Sequence, residues 1–283
     1  MKLDGIELVR CQLCGRAGGH SPTLGELLWS CPDCGFVWTA GSAPAPEELY
    51  DEAYYTTDGY QDYFASAGQR RFEASRRLRW LLSTVRPTVL LEAGCAGGYF
   101  LEAAHQAGIT ASGIEVSHAA ASFARDHLHM PVRQGYFETI APTLTADVVC
   151  AFHVLEHVED PRAFLHAAHT ALTPGGWLAL EVPNIASAAA NRLGTDWPAI
   201  APAYHRWHFT PDTLSRMLVE SGFRVISHDT VFSRFYWQPA ARLRNARDLL
   251  VADVAASRSP RVTHPQLGDL LRIFARRDDR AVS

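Results

Sequence analysis

The chain contains, between positions 89 and 100, the stretch Val89-Leu-Leu-Glu92-Ala-Gly94-Cys-Ala96-Gly-Gly98-Tyr-Phe100. Its apolar start has the character of a buried strand, and its glycines mark a tight turn before a helix. Glycine lets a backbone approach a ligand closely, and the N-terminus of a helix carries a partial positive charge. The stretch therefore predicts a strand, a turn and a helix that form one wall of a ligand site.

A carboxylate stands at the end of the next predicted strand. Glu115 lies near the end of an apolar segment at residues 112–116, 17 residues past Gly98. An acidic side chain at this point can accept hydrogen bonds from both hydroxyls of a ribose. Dinucleotide dehydrogenases use similar glycine-rich turns, so these features predict a nucleoside ligand and leave its kind open.

Strand-like and helix-like segments alternate along the rest of the chain. The strand-like segments are residues 88–91, 112–116, 131–134, 147–152, 177–182, 223–229 and 270–274. The helix-like segments are residues 65–85, 100–107, 119–128, 161–171, 213–221 and 239–261. The alternation predicts an α/β fold with a Rossmann-like, doubly wound, mostly parallel seven-stranded sheet.

Four cysteines near the N-terminus form two Cys-x-x-Cys pairs, Cys11 with Cys14 and Cys31 with Cys34, with sixteen residues between the pairs. Each pair presents two thiolates at the separation that tetrahedral zinc requires, and clustered thiols in a reducing compartment favour metal over disulfides. A glycine follows the second cysteine of each pair, where the backbone must curl around the metal. The pattern predicts a small zinc-ribbon module over residues 1–40 that binds a structural Zn²⁺.

Five motifs follow one another between residues 89 and 225. They are Glu92-Ala-Gly94-Cys-Ala96-Gly-Gly98; Gly113-Ile-Glu115-Val-Ser117; Asp147-Val-Val-Cys-Ala-Phe152-His153-Val-Leu-Glu156-His157-Val158 with Asp160-Pro161; Leu172-Thr-Pro174-Gly-Gly176-Trp177 ending in Val182-Pro183-Asn184; and Tyr204-His205-Arg-Trp-His208-Phe-Thr210-Pro-Asp212-Thr-Leu214. Together they resemble the class I S-adenosylmethionine (SAM)-dependent methyltransferases, most of all the family of ubiquinone-pathway O-methyltransferases and natural-product tailoring enzymes. The chain departs from that family at Ala96, where the second loop glycine is usual. The fourth motif and the Glu156-His157 pair argue against a dehydrogenase.

This resemblance implies SAM as cofactor and assigns residues to its parts. The glycine-rich loop would border the methionine half, the second strand end would hold the ribose and adenine, the residues after the third strand would border the adenine, and the fourth strand end would face the sulfonium. The residues so implied are Glu92, Gly94, Ala96, Gly98, Glu115, Val116, Tyr136, Phe137, Phe152 and His153.

Methyl transfer to a hydroxyl or an acidic carbon needs a positioned nucleophile and a group that takes its proton. The segment 184–210 is long, irregular and aromatic-rich, as loops that serve a site often are. We predict His205 as general base, with Tyr204 or His208 assisting and His153 as a further candidate; a purely structural role in the loop is the alternative. The aromatic residues of the segment would wall the acceptor pocket. They are Trp197, Tyr204, Trp207 and Phe209.

Three units are expected along the chain. Residues 1–40 form the ribbon, residues 41–86 a linker and a helical segment rich in Tyr and Arg that caps the site, and residues 87–283 the methyltransferase domain. The arginines of the helix at residues 65–85 would lie on a solvated face. They are Arg70, Arg71, Arg76, Arg77 and Arg79.

The charge composition indicates which class of partner the protein acts on. The 283 residues include 26 Lys and Arg against 30 Asp and Glu, a net charge of −4, whereas nucleic-acid binders usually carry a basic surface. The prediction is therefore a small-molecule acceptor, a sugar or natural-product scaffold methylated on oxygen or carbon. One alternative is a ribosomal-RNA methyltransferase with an N-terminal zinc ribbon, which nine Arg against five Asp in residues 241–283 favour. Another is a non-catalytic binding protein, which the intact cofactor motifs disfavour.

The sequence contains no signal-peptide pattern at its start and no apolar run long enough to cross a membrane. The expected compartment is the cytoplasm. Oligomeric state and the identity of the acceptor cannot be read from this sequence.

Overall fold

The computed structural model describes residues 2–3, 6–7, 10–16, 19–20, 28–40, 66–233 and 268–279. Two sequence expectations lie outside the described residues: the first part, residues 41–65, of the linker and Tyr/Arg-rich segment, and the helix at residues 239–261.

Strands and helices alternate from residue 67 onward. The helices are α1 (Ala67–Leu82), α2 (Tyr99–Gln106), α3 (His118–Asp126), α4 (Phe137–Ile140), α5 (Pro161–Ala171), α6 (Ala188–Leu193) and α7 (Pro211–Glu220). The strands are β1 (Lys2–Leu3), β2 (Ile6–Glu7), β3 (Gly19–His20), β4 (Leu28–Ser30), β5 (Val37–Thr39), β6 (Val89–Ala93), β7 (Thr110–Glu115), β8 (Val132–Gln134), β9 (Ala146–Phe152), β10 (Leu172–Pro183), β11 (Trp207–His208), β12 (Phe223–Val231) and β13 (Leu270–Arg277). Within the described ranges, no helix is long and apolar enough to span a bilayer.

Seven strands form the main sheet in the order β12-β13-β10-β9-β6-β7-β8. The five strands from β10 to β8 are parallel, and β13 runs antiparallel to both of its neighbours. The predicted mostly parallel seven-stranded sheet is confirmed. The strand order reverses at β6, which lies between β7 and β9, and open α/β sheets bind ligands at the carboxyl ends of strands beside such a reversal.

Local sequence explains where the helices begin. The hydroxyl of Ser117 accepts a hydrogen bond from the Ala120 N–H at the start of α3, and the Asp160 carboxylate caps α5 just before Pro161. Thr210 and Thr213 cap α7 reciprocally. Caps of this kind satisfy backbone N–H groups that have no partner within the helix, each contributing about 1 kcal/mol.

Two apolar layers cover the main sheet. On the α1 side, Trp80 stacks on Phe274 with ring centroids 4.1 Å apart. On the other side, Phe164 of α5 and Leu214 of α7 are fully buried in a cluster that also contains Phe36 of the ribbon. Burying each such side chain contributes about 1.5–3 kcal/mol. The ribbon thus shares one hydrophobic core with the sheet.

A second, four-stranded sheet joins the ribbon to the rest of the protein. Its order is β11-β5-β4-β3, so β11, which follows main-sheet strand β10 in the chain, supplies the edge strand next to ribbon strand β5. The pairing is antiparallel, with Trp207 opposite Trp38 and His208 opposite Val37. The segment predicted to serve the acceptor is therefore one edge of the ribbon sheet.

Candidate active site

The glycine-rich turn after β6 needs glycine for steric reasons at two positions. Gly94 has a φ of +60°, and a Cβ there would lie 2.5 Å from Val154 Cγ2. Gly98 has a φ of +82° at the N-terminus of α2, and its Cβ would meet Ala124 Cβ at 3.0 Å. The turn therefore leaves its backbone close to the carboxyl edge of the sheet, as a cofactor loop requires.

Ala96 adopts a left-handed conformation in the same turn, with a φ of +44°. This conformation costs an L-residue roughly 1–2 kcal/mol and is free for glycine. The backbone thus keeps the shape that a glycine would take at this family position, although the side chain is a methyl group.

Glu92, the penultimate residue of β6, has a carboxylate oxygen that is unpaired within the described residues. Its side chain is buried, and Oε2 has no hydrogen-bond partner among the described residues. Burial, opposed by the charge of Arg77, raises the pKa of Glu92 well above its ordinary value. A buried, unsatisfied carboxylate fits the ammonium group of the methionine half of SAM, which supports the residue assignment by resemblance.

Glu115 ends β7 and reaches back to the turn. Its Oε2 accepts a hydrogen bond from the Ala96 N–H at 2.8 Å, and its Oε1 accepts one from the Ser117 N–H at 2.9 Å. Burial raises the pKa of Glu115, and the backbone hydrogen bonds oppose that rise. The carboxylate is fixed beside the turn, at a place where it can accept hydrogen bonds from ribose hydroxyls.

The residues expected to border adenine have different surroundings. Val116 is half-buried, Tyr136 is 40% exposed, and Phe137 is buried with its ring stacked on Phe164 at 4.6 Å. Tyr136 and Val116 are free to cover a ligand, whereas Phe137 is engaged in the core. Their adenine contacts stay a prediction.

His153 follows β9 in a left-handed conformation, with a φ of +58°. Its Nδ1 lies 3.2 Å from Glu156 Oε1 and its Nε2 lies 3.4 Å from Glu181 Oε1. Because carboxylates only accept, both ring nitrogens must carry protons. Burial alone would lower the pKa of His153, but Glu156 and Glu181 outweigh it and raise that pKa to about 9. The ring is an imidazolium at neutral pH.

Glu181 connects His153 to two arginines on the α1 side of the sheet. Arg77 donates two hydrogen bonds to Glu181 Oε1, at 2.9 and 2.7 Å, and Arg272 donates to Oε2 at 2.6 Å. The guanidinium of Arg77 also lies 4.9 Å from the ring centroid of Phe152, the last residue of β9. The expectation that the α1 arginines lie on a solvated face is wrong for Arg77, because a buried carboxylate requires a charged partner.

Residues 204–208, called here the histidine turn, lie against the segment after β9. The Arg206 N–H donates to the Glu156 carbonyl at 2.8 Å, and His157 Nδ1 lies 3.1 Å from the Tyr204 carbonyl. The rings of His157 and His205 meet edge to face at 4.6 Å. Segments about 50 residues apart in sequence thus form one cluster.

His205 and His208 are both buried and neutral. His205 Nδ1 lies 2.7 Å from the Ala199 carbonyl, so this nitrogen carries the proton and Nε2 keeps the lone pair. Burial, followed by the nearby His157, lowers the pKa of His205 to about 3, and burial lowers that of His208 to about 4. The predicted base is thus unprotonated at neutral pH but weak, and its role stays a prediction.

One carboxylate and two imidazoles converge in this cluster. Donor atoms of Glu156, His157 and His205 lie within 4.8 Å of one another. Burial alone would raise the pKa of Glu156, but the hydrogen bond from His153 and the charge of His157 lower it to about 2. Such a group can stabilise a proton taken up by an imidazole, and it also has the chemistry of a divalent cation site.

Most aromatic residues of the segment 184–210 pack rather than face solvent. Trp197 and Phe209 are fully buried, and Trp207 donates from Nε1 to the Val158 carbonyl at 2.7 Å while stacking on Phe36. The expectation that they wall an acceptor pocket is wrong for Trp197 and Phe209, because both are enclosed in the core; Trp207 is half-buried, and its role stays a prediction. Tyr204 is half-buried, and its role stays a prediction.

The four N-terminal cysteines converge. Cys11 Sγ lies 3.5 Å from Cys34 Sγ, and Cys14 Sγ lies 3.4 Å from Cys31 Sγ, with all four thiols unpaired by disulfides. Zn–S bonds of 2.3 Å in a tetrahedron imply sulfur separations of about 3.8 Å. Gly15 and Gly35 have positive φ, as the pattern predicted. The donor set therefore fits structural zinc.

Four residues that contact the histidines or their carboxylate partners were not predicted from the sequence. They are Glu156, which is a buried anion, Glu181, Arg77 and Thr39. Glu181 carried a signal, because it is the one charged residue within the apolar strand Trp177–Val182. Thr39 carried none, since its partners lie more than 160 positions away in the chain.

A sheet of this order with carboxylates at the carboxyl ends of β6 and β7 defines the class I SAM-dependent methyltransferase fold. The chain matches the family described as "Methyltransferase domain" over residues 64–228. It belongs to that family.

Curated relatives and solved structures agree with this membership. The ubiquinone biosynthesis O-methyltransferase of Ruegeria pomeroyi is 32% identical over 198 residues, covering 64% of this chain and 78% of that protein. The enzyme of the same name from Thiobacillus denitrificans is 35% identical over 118 residues, covering 38% of this chain and 50% of that protein. The chain thus spans about half the length of some curated relatives that it matches. A SAM-dependent methyltransferase from Archaeoglobus fulgidus shares the fold, with a TM-score of 0.54 and 19% identity over 76% of this chain and 99% of that chain.

Proposed function

We propose that this protein is a SAM-dependent methyltransferase that methylates a hydroxyl oxygen of a small-molecule acceptor. The observation that carries the proposal is the pair of buried carboxylates, Glu92 and Glu115, at the ends of adjacent parallel strands, with the histidine turn at the same edge. The names of the curated relatives, O-methyltransferases of ubiquinone biosynthesis, favour oxygen over carbon and a small molecule over RNA. A sugar or natural-product scaffold is the acceptor class that we infer.

SAM, when bound, supplies an electrophilic methyl group on its sulfonium. Glu92 would hold its ammonium group and Glu115 its ribose hydroxyls. His205 would take the acceptor's proton at Nε2, because its Nδ1 proton is committed to the Ala199 carbonyl. The carboxylate of Glu156 would stabilise the imidazolium so formed, while burial keeps the pKa of His205 at about 3 even with that carboxylate beside it.

A second way of removing the proton suits the same cluster. A divalent cation held by Glu156, His157 and His205 would lower the pKa of a hydroxyl bound beside it. Dependence of turnover on added Mg²⁺ or Mn²⁺, in protein whose ribbon zinc is intact, would favour the cation over His205 as base.

The test is methyl transfer from labelled SAM to a panel of phenols, catechols, sugars and natural-product aglycones, with ribosomal RNA as a further arm. We expect product from a small molecule, and we expect His205→Ala to lower turnover by about 10²–10⁴-fold while SAM affinity stays unchanged. His166→Ala, on the exposed face of α5, is the matched control. Absence of SAM binding, or methylation of RNA alone, would refute the proposal.

A further inference from the structure

The zinc ribbon contributes a strand to the histidine turn. Ribbon strand β5 pairs with β11, and the Thr39 N–H donates to the Arg206 carbonyl at 2.9 Å. The second cysteine pair, Cys31 and Cys34, leads directly into β5. The backbone of the turn is therefore held by the same strand that leaves the cysteine site.

The Thr39 side chain adds two hydrogen bonds to the turn. Its Oγ1 lies 2.5 Å from the His205 carbonyl and 3.0 Å from His208 Nε2. A carbonyl only accepts, so the hydroxyl proton goes to His205, and the Nε2–H of His208 must donate to Oγ1. One ribbon hydroxyl therefore selects the tautomer of His208 and orients the backbone of His205.

Ribbon side chains also support the residue that fixes the His205 ring. Leu28 and Val37 form one buried cluster with Trp197, Ala199 and Ile200. The carbonyl of Ala199 is the partner of His205 Nδ1. Movement of β4 and β5 would thus release the ring as well as the backbone of His205.

The first cysteine pair is anchored to the methyltransferase domain independently. Arg162 at the start of α5 donates to the carbonyls of Gln12 and Leu13, between Cys11 and Cys14, and also pairs with Glu220 of α7. The first cysteine pair is therefore held against α5 and α7, and closing both pairs around one ion would tie β5 to that anchor.

We propose that Thr39 is a positioning residue for the histidine turn, through which the state of the cysteine site controls the orientation of His205 and His208. Describing the turn as acceptor-facing rests on the proposed function, whereas its attachment to the ribbon does not. Loss of the metal, or oxidation of the thiols, would then disorder the turn and leave the cofactor half of the site in place.

The experiment uses the full chain with three variants. Thr39→Val removes the hydroxyl at nearly constant volume, Thr39→Ser keeps it, and Thr110→Val alters an exposed threonine at the start of β7. Four quantities are measured: zinc per chain, affinity for S-adenosylhomocysteine by calorimetry, the His208 tautomer by ¹H–¹⁵N correlation of the imidazoles, and exchange of the Thr39 amide proton. Wild-type protein treated with a chelator is the fifth sample.

We expect Thr39→Val to keep its zinc and bind S-adenosylhomocysteine within twofold of wild type. It should lose the single Nε2–H form of His208 and exchange the Thr39 amide at least tenfold faster, while Thr39→Ser and Thr110→Val resemble wild type. Chelation should reproduce the Thr39→Val spectrum. The proposal is overturned if Thr39→Val matches Thr110→Val, or if zinc removal leaves the histidine signals unchanged. If Thr39→Val does not fold, the histidine signals of the chelated wild-type protein test the proposal alone. If no sample binds S-adenosylhomocysteine, the proposed function is refuted instead.

Discussion

The carboxylate of Glu115 accepts a hydrogen bond of 2.8 Å from the backbone N–H of Ala96. This contact ties the end of β7 to the glycine-rich turn after β6. Strands β6 and β7, which carry the proposed cofactor carboxylates, are therefore connected at their carboxyl ends as well as by the backbone hydrogen bonds between them.

Glu115→Ala should weaken binding of SAM by tenfold or more. The substitution removes hydrogen bonds from a charged group to the ribose, each contributing roughly 1.5–3 kcal/mol, and it also releases the Ala96 N–H. Calorimetric titration with SAM and S-adenosylhomocysteine measures the change. Asp126→Ala, at the exposed end of α3, is the control for loss of an acidic residue. Equal affinity in Glu115→Ala and wild type would refute the ribose assignment.

Ala96→Gly should stabilise the fold by up to about 1 kcal/mol and leave SAM affinity equal or higher. Glycine relieves the left-handed strain at φ +44°, and its greater freedom in the unfolded chain offsets part of that gain. The same change at Ala103, inside α2, should destabilise the protein by about 1 kcal/mol. Urea denaturation of the two variants gives both numbers. A loss of stability in Ala96→Gly equal to that of Ala103→Gly would contradict the strain argument.

The purified protein should contain close to one zinc ion per chain. Four thiols arranged for tetrahedral coordination leave no position open, so the ion contributes to folding. Cys14→Ser should lower the zinc content and loosen residues 10–40 to proteolysis before the main sheet unfolds. Cys150→Ser, in the buried strand β9, is the control for loss of a cysteine elsewhere. Metal analysis without zinc, or a disulfide within the cluster, would be incompatible with the site.

Asp269→Asn should make the protein more stable at pH 8. Asp269 is fully buried, its Oδ1 accepts from the Ser233 N–H, and burial raises its pKa from 3.8 to about 7. An acid with a raised folded pKa contributes stability below its unfolded pKa and loses it as pH rises from about 4 to about 7. The amide keeps the hydrogen bond and removes the charge, a gain on the order of 4 kcal/mol at pH 8.

Denaturation of wild type and Asp269→Asn between pH 5 and 8 tests this expectation. The difference in the free energy of unfolding should shrink as pH falls, because wild type is then protonated at Asp269 too. Asp126→Asn should show no such trend. A constant difference across the pH range would mean that Asp269 does not change its charge there.

The arrangement at the carboxyl ends of β6 and β7 was predictable because its parts lie close together in sequence. Glu92, Gly94 and Gly98 lie within seven residues of one another, and Glu115 follows one predicted helix later. Alternation of hydrophobic segments sets the order of parallel strands, and parallel strands place their carboxyl ends together. The burial of Arg77 was not predictable from local sequence, because its partner Glu181 lies more than 100 positions away in the chain.

The sequence alone determined the α/β sheet, the cysteine cluster and the carboxylates at the ends of β6 and β7, because periodicity and short spacing encode them locally. Only the tertiary structure decided that the ribbon completes the histidine turn, through Thr39, and that His153 and His205 differ in charge. The physical reason is that burial and the neighbouring carboxylates set the protonation of an imidazole, and these neighbours meet only when distant segments pack. Aromatic residues of the segment 184–210, which the sequence predicted as walls of a pocket, likewise pack between the ribbon and the sheet.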